Sequence, residues 1–244
     1  MSGLGAVYRR ELASYFATPL AYVFIVIFLL LAGAFTFSLG GFYERGQADL
    51  APFFSFLPWL YLFLVPAVAM RLWAEERRSG SIELLLTLPI RPGEAVGGKF
   101  LAGLTFIGLA LALTFPIWIT VNYLGSPDNG AIVAGYLGSL LMAGGFLAVG
   151  SCLSAATRSQ VIAFILTVVV CFLLLLAGFP LVLDAFRGWA TPALLDAIAS
   201  LSFLTHFQAI SKSVLDARDA LYFALTIGAW LYATTLVLEL RKAD

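Results

Sequence analysis

Between Met70 and Lys99 the chain places nine ionisable side chains: Arg71, Glu75, Glu76, Arg77, Arg78, Glu83, Arg91, Glu94 and Lys99. Five of its 14 Lys+Arg and four of its 14 Asp+Glu fall there, in a chain that is 61% hydrophobic and 11% charged. Carboxylates interleaved with guanidinium groups suit ion-paired docking to another protein better than bond-making chemistry. One stretch mimics a phosphate loop, since Gly93, Gly98 and Lys99 fit the spacing G-x-x-x-x-G-K. Position 100 is Phe, so the hydroxyl that would hold Mg²⁺ is missing, and an apolar run follows where a soluble helix should open. The stretch reads instead as a flexible glycine lead-in with Lys99 at the lipid headgroups.

Other chemistries fare no better. The chain has one histidine, His206, and two cysteines, Cys152 and Cys171, both inside apolar runs. The cysteines read as small core residues and the histidine as a packed or interfacial one. No G-x-S-x-G elbow or paired catalytic carboxylates occur, so the chain is not read as an enzyme, and no cofactor or metal is assigned to it. A formal net charge of zero argues against a nucleic-acid partner.

The elements that must position the charged stretch are membrane spans. Mean hydropathy is +0.98, and a soluble domain would carry about a quarter charged residues. Apolar runs of the length needed for a 30 Å hydrocarbon core of about 20 residues recur along the sequence. They predict six spans, at residues 20–39, 50–70, 100–124, 131–156, 161–183 and 220–238 of a single domain covering 1–244. Before the first, Leu4, Val7, Leu12, Tyr15 and Phe16 recur at helical spacing and predict an amphipathic interfacial helix. That first run is too long for a signal peptide and is expected to remain as an anchor. Pro52, Pro58 and Pro66 predict a kinked second span, and Pro116 a kink in the third. Gly135, Gly138, Gly144, Gly145 and Gly150 predict close helix packing along the fourth.

The charged stretch is then a loop, 71–99, between the second and third spans. Segment 184–219 precedes the last span. Within it 197–211 is uncharged but too short to cross, and reads as a re-entrant or interfacial helix pair. With six spans, Arg9, Arg10, the five loop cations, Arg158, Arg241 and Lys242 share one side, against Arg45, Arg187, Lys212 and Arg218 on the other. The excess makes the loop and both termini cytoplasmic. No charge lies in the interior of a span, so ion coupling has no carrier. The spans offer scattered hydroxyls and amides (Thr36, Ser55, Tyr61, Thr114, Thr120, Asn122), which suits an amphipathic or lipid cargo better than an ion. An all-α membrane bundle without its own energy source is expected to receive energy through the loop.

The loop has a charged part, 72–79, and a more apolar part, 81–88, divided at Ser79-Gly80 and ended by Pro89 and Pro92. Its residues Glu75-Glu76-Arg77-Arg78-Ser79-Gly80-Ser81-Ile82-Glu83-Leu84-Leu85, followed by Thr87-Leu88-Pro89, resemble the E-E-R/K-x-x-G-T/S-x-E-x-L-L-x-x-P signature of type-2 ABC transporter permeases. Within that family the chain is most similar to the gliding-motility-associated, GldF-like subunit. Arg10-Glu11-Leu12 through Tyr22, Pro58-Trp59 through Pro66, and 201–207 with Arg218-Asp219 carry that likeness. Ser81 stands where the family commonly has threonine.

The resemblance implies a permease subunit of an export-type transporter in the bacterial inner membrane. It implies a cytoplasmic coupling helix after the second span and re-entrant helices before the sixth. It also implies two copies of an ABC ATPase that hold ATP and Mg²⁺, a second permease (homodimer or related subunit), and an auxiliary envelope subunit. Carried onto this chain, Glu75, Glu76, Arg77 and Arg78 lie in or beside the coupling helix, Gly80 is its hinge, and Glu83 lies in the return segment. Glu83 is read either as a latch toward the loop arginines or as an exposed interfacial carboxylate. Reversing Glu75 and Glu76 to lysine is expected to uncouple ATPase docking and leave folding intact. The alternative function is a membrane anchor that transmits force to an envelope assembly and moves no substrate.

Overall fold

The computed structural model describes residues 3–81, 90–179, 182–184, 191–212 and 216–240, and these are helical with no strand among them. In chain order they form α1 (Gly3–Phe16), α2 (Pro19–Ala34), α3 (Ala51–Ala69), α4 (Ala74–Ser79), α5 (Pro92–Ala112) and α6 (Phe115–Leu124). Then follow α7 (Asn129–Ala156), α8 (Gln160–Leu176), α9 (Pro192–Ser200), α10 (Phe203–Ser211) and α11 (Ala217–Leu240).

Five helical stretches among the described residues are long and apolar enough to cross a membrane: Pro19–Leu39, Ala51–Ser79, Pro92–Leu124, Asn129–Ala156 and Ala217–Leu240. The predicted span at 161–183 is helical over Gln160–Leu176, 17 residues, shorter than the others. The first stretch closes in a π-helical turn, Phe35–Leu39, where Thr36 Oγ1 donates to Ala32 O at 2.6 Å. The third is broken between α5 and α6, with Pro116 in the first turn of α6 as the missing donor demands.

Helix α7 is the hub, touching α3, α4, α5, α8, α10 and α11. Its glycines make this arrangement. A Cβ on Gly145 would lie 2.7 Å from the Phe203 ring of α10, one on Gly138 2.8 Å from Ile210, and one on Gly144 3.0 Å from Ile227 of α11. Gly135 faces Phe54, and Gly150 meets Ala69, both on α3. Where lipid supplies no hydrophobic drive between helices, such close approach is what packs them. Asp128 opens α7 by accepting from Gly130 N at 2.9 Å and Ala131 N at 3.2 Å. The expected short pair before the last span is α9 and α10. Ser202 caps α10 through Thr205 N at 3.3 Å while donating to Leu175 O of α8 at 3.3 Å.

Two expectations are overturned. The glycine-rich stretch before residue 100 is no flexible lead-in. Helix α5 begins at Pro92, with Arg91 N donating to Glu94 Oε2 at 3.2 Å, so Gly93 to Lys99 are already helical. Lys99 is not at the headgroups either, because it sits with 2% of its side chain exposed. Gly98 is needed for contact, since a Cβ there would lie 2.9 Å from Leu4 O and from Val7 Cβ of α1.

Candidate functional site

The charged stretch leaves α3 through a turn whose main-chain groups are held by one hydroxyl. Ser154 Oγ, near the end of α7, accepts from Trp73 N at 3.1 Å and Ala74 N at 3.0 Å and donates to Met70 O at 3.0 Å. It thereby satisfies donors that the first turn of α4 cannot pair internally. Trp73 is fully buried, and its Nε1 donates to Ser151 Oγ at 3.0 Å. Helix α4 ends at Gly80, whose φ of 73° is the left-handed region that glycine adopts without strain.

The first two turns of α5 that follow bring Lys99 against α4. Lys99 Nζ lies 2.9 Å from Glu76 Oε1 and 3.1 Å from Glu11 Oε1 of α1. Its ammonium also stands 5.0 Å from the centre of the Trp73 ring. Arg10 Nη2 joins the same two carboxylates, at 2.6 Å from Glu11 and 3.3 Å from Glu76. Two acids and two bases thus tie α1, α4 and α5 together with no net charge. An ammonium removed from water this far is tolerated only with such partners.

The residues singled out in the loop therefore divide between two faces of α4. Glu76 points inward, with 19% of its side chain exposed, and Arg77 Nη1 donates to Ala155 O at the end of α7. Glu75 and Arg78 are exposed, as are Ser79 and Gly80. Glu75 pairs with Arg71 one turn back, Nε to Oε2 at 3.4 Å. Glu83 lies outside the described residues. Glu76 is engaged by Lys99 and Arg10 within the chain, and reversing it to lysine would set a second cation against Lys99. The expectation that folding survives the Glu75 and Glu76 reversal is corrected on that ground for Glu76.

Glu11, Trp73, Ser151 and Ser154 were not singled out from the sequence, and Lys99 was expected at the headgroups. A signal for Lys99 was present: Arg91-Pro92 with Glu94 three residues on is a helix start, which puts Lys99 two turns inside a helix. The two serines one turn apart, in an otherwise small-residue span, carried no comparable mark.

The span hydroxyls and amides are used partly within their own helices and partly between them. Ser55, Thr114, Thr120 and the amide of Asn122 donate to the carbonyls of Pro52, Leu111, Pro116 and Trp118 at 2.6 to 3.0 Å. Thr114 Oγ1 also lies 2.8 Å from Tyr136 Oη of α7, Asn122 exchanges hydrogen bonds with Asn129 of α7, and Tyr61 Oη is buried without a hydrogen-bond partner among the described residues. His206 is packed, as expected, with Nδ1 2.6 Å from Asp219 Oδ1 and Nε2 3.0 Å from Ser200 O, its ring stacked on Tyr222.

No curated protein matches the chain. The model of the ABC-2 family transporter protein matches residues 6–240, which takes in α1, the charged loop and every predicted span. Members of that family are the membrane translocation subunits of ABC transporters, not themselves the enzyme, and work with an ABC ATPase. With five helical stretches able to cross the bilayer among the described residues, this is a multi-pass membrane protein, and the chain belongs to the ABC-2 family of transporter proteins.

Proposed function

We propose that the chain is the permease subunit of an export-type ABC transporter, with six spans, both termini in the cytoplasm, and α4 as the coupling helix. Two copies of the ATPase, carrying ATP and Mg²⁺, would grip the outward face of α4 through Glu75, Arg78 and the Gly80 turn. A second permease would complete the path, and the subgroup would be the gliding-type, GldF-like one. Helix-in-groove docking fits an element of this size.

The observation that carries the reading is the division of α4. One face is clamped by Lys99, Glu11 and Ser154 to α1, α5 and the hub helix, and the other is left exposed. A push on such an element moves the bundle as a rigid body instead of bending a loop. Closure of the ATPase would shift the bundle only if it binds one arrangement more tightly. Glu83 would act as a latch from the return segment.

The test is the pair Glu75→Lys with Arg78→Glu, both on the outward face. Co-purification with the ATPase should fall severalfold, while the thermal unfolding temperature in detergent should stay within a degree or two, as for surface changes of under about 0.5 kcal/mol. ATPase recovered at wild-type yield would sink the coupling role. Force transfer without cargo is the second reading, and the hydrogen bonds that Ser55, Thr114 and Thr120 donate to main-chain carbonyls favour it. Cargo movement in reconstituted vesicles separates the two.

A further inference from the structure

Beside the clamp lies a cleft with two unlike halves. The apolar half, about 230 Å³, runs between α2, α3 and α5 and is lined by Leu20, Val23, Phe24, Leu64, Ala67 and Phe106. The polar half, about 430 Å³, is lined by Arg10, Ser14, Glu75, Glu76 and Lys99 among others. Tyr15, Thr18 and Arg71 line both, so the halves meet at those three side chains. An apolar trough that opens at its end onto charged groups matches a molecule with an acyl chain and an ionic head.

The charges narrow the head. Arg71 spends Nε on Glu75 and makes no other ion pair among the described residues. Glu76 Oε2 is buried and has no hydrogen-bond partner, though Oε1 of the same carboxylate has two. Burial pushes the Tyr15 phenol above its ordinary value, with Glu11 adding to the effect and Arg71 opposing it, so its hydroxyl stays a donor. The cleft thus offers cationic and phenolic donors for a phosphate, and the exposed Glu75 carboxylate next to Glu76 for a cation that can donate a hydrogen bond. Three acids and three bases around the polar half leave no net charge, which does not favour an anionic lipid.

We propose that this cleft binds one phospholipid of the surrounding leaflet, zwitterionic and with a primary-ammonium head (phosphatidylethanolamine). Its phosphate sits at Arg71 and Tyr15, its ammonium faces Glu75 at the edge of the Glu76 carboxylate, and one acyl chain lies along α2 and α3. A choline head has no N–H to give Glu75, and a glycerol head has no cation. The lipid fills the gap between the N-terminal helix and α3, and so adds to the clamp on α4.

The full chain is purified in detergent and incubated with phosphatidylethanolamine, phosphatidylcholine or phosphatidylglycerol of matched acyl chains, and retained lipid is read by native mass spectrometry. The wild type should keep phosphatidylethanolamine preferentially. Arg71→Gln should retain about tenfold less, the loss of one charge-assisted hydrogen bond, and Ala67→Phe, which plugs the apolar half, should also release it. Arg71 and Ala67 are only partly buried, so folding can be checked by unfolding temperature in the same samples. Equal retention of the three lipids, or wild-type retention in both variants, overturns the site. Absence of bound lipid with disulfide cross-linking of two copies at Val23→Cys overturns it in favour of a second copy covering the cleft. No ATPase enters these arms, so their failure is distinct from failure of the coupling reading.

Discussion

Two buried polar clusters hold this bundle, and they are built on different rules. The Lys99 cluster joins α1, α4 and α5, elements far apart in sequence, through two acids and two bases. The His206 cluster joins α9, α10 and the first turn of α11, and its ion pair spans only 13 residues. There, Ser200 O can only accept, so Nε2 must donate to it. On the other side of the ring, Nδ1 lies 2.6 Å from Asp219 Oδ1. The first cluster needs three helices in place before its charges are neutralised. The second needs only a local hairpin. A long-range ionic clamp suits a joint that carries force, and a short-range one suits holding a helix pair against its neighbour.

Breaking the clamp should cost most. Lys99→Met leaves Glu11 and Glu76 facing each other without their central cation, and removal of one partner from a buried pair costs about 3–5 kcal/mol. Thermal unfolding in detergent would show it, and adding Glu76→Gln to the same chain should recover part of the loss, because the two sites share one interaction. Additive losses would mean that the clamp is not a unit. Asp219→Leu comes next. It should cost about 1–3 kcal/mol, the price of a buried donor deprived of its acceptor, and should loosen α10 in hydrogen exchange while leaving α4 protected. Spread of the effect to α4 would erase the distinction between the clusters. Gly80→Ala is the smallest, about 1 kcal/mol for a side chain at positive φ. It should be visible in stability yet leave lysine reactivity at Lys99 as low as in the wild type, and a rise in that reactivity would show the turn to be part of the clamp.

The comparison also marks what could be read beforehand. Helix class, the kink at Pro116, the glycine packing of α7, the short pair before the last span and the exposed outer face of α4 follow from periodicity, proline and glycine placement and charge. These depend on neighbours in sequence, or on the uniform demand that lipid makes of any span. Lys99 was misplaced because hydropathy treats a lone cation beside an apolar run as a boundary. Its partners are 23 and 88 residues away by number, at Glu76 and Glu11. Glu76 was grouped with Glu75 because adjacent residues look alike in a string. On a helix they point about 100° apart.

The sequence alone determined that this chain lives in the bilayer, that it carries no catalytic constellation legible from motif, and that its polar business is concentrated after the second span. Only tertiary structure decided which of those charges are spent inside the protein and which remain for a partner. The physical reason is that burial of an ion is settled by oxygen and nitrogen atoms meeting within about 3 Å from separate helices, a coincidence in space that no local pattern encodes.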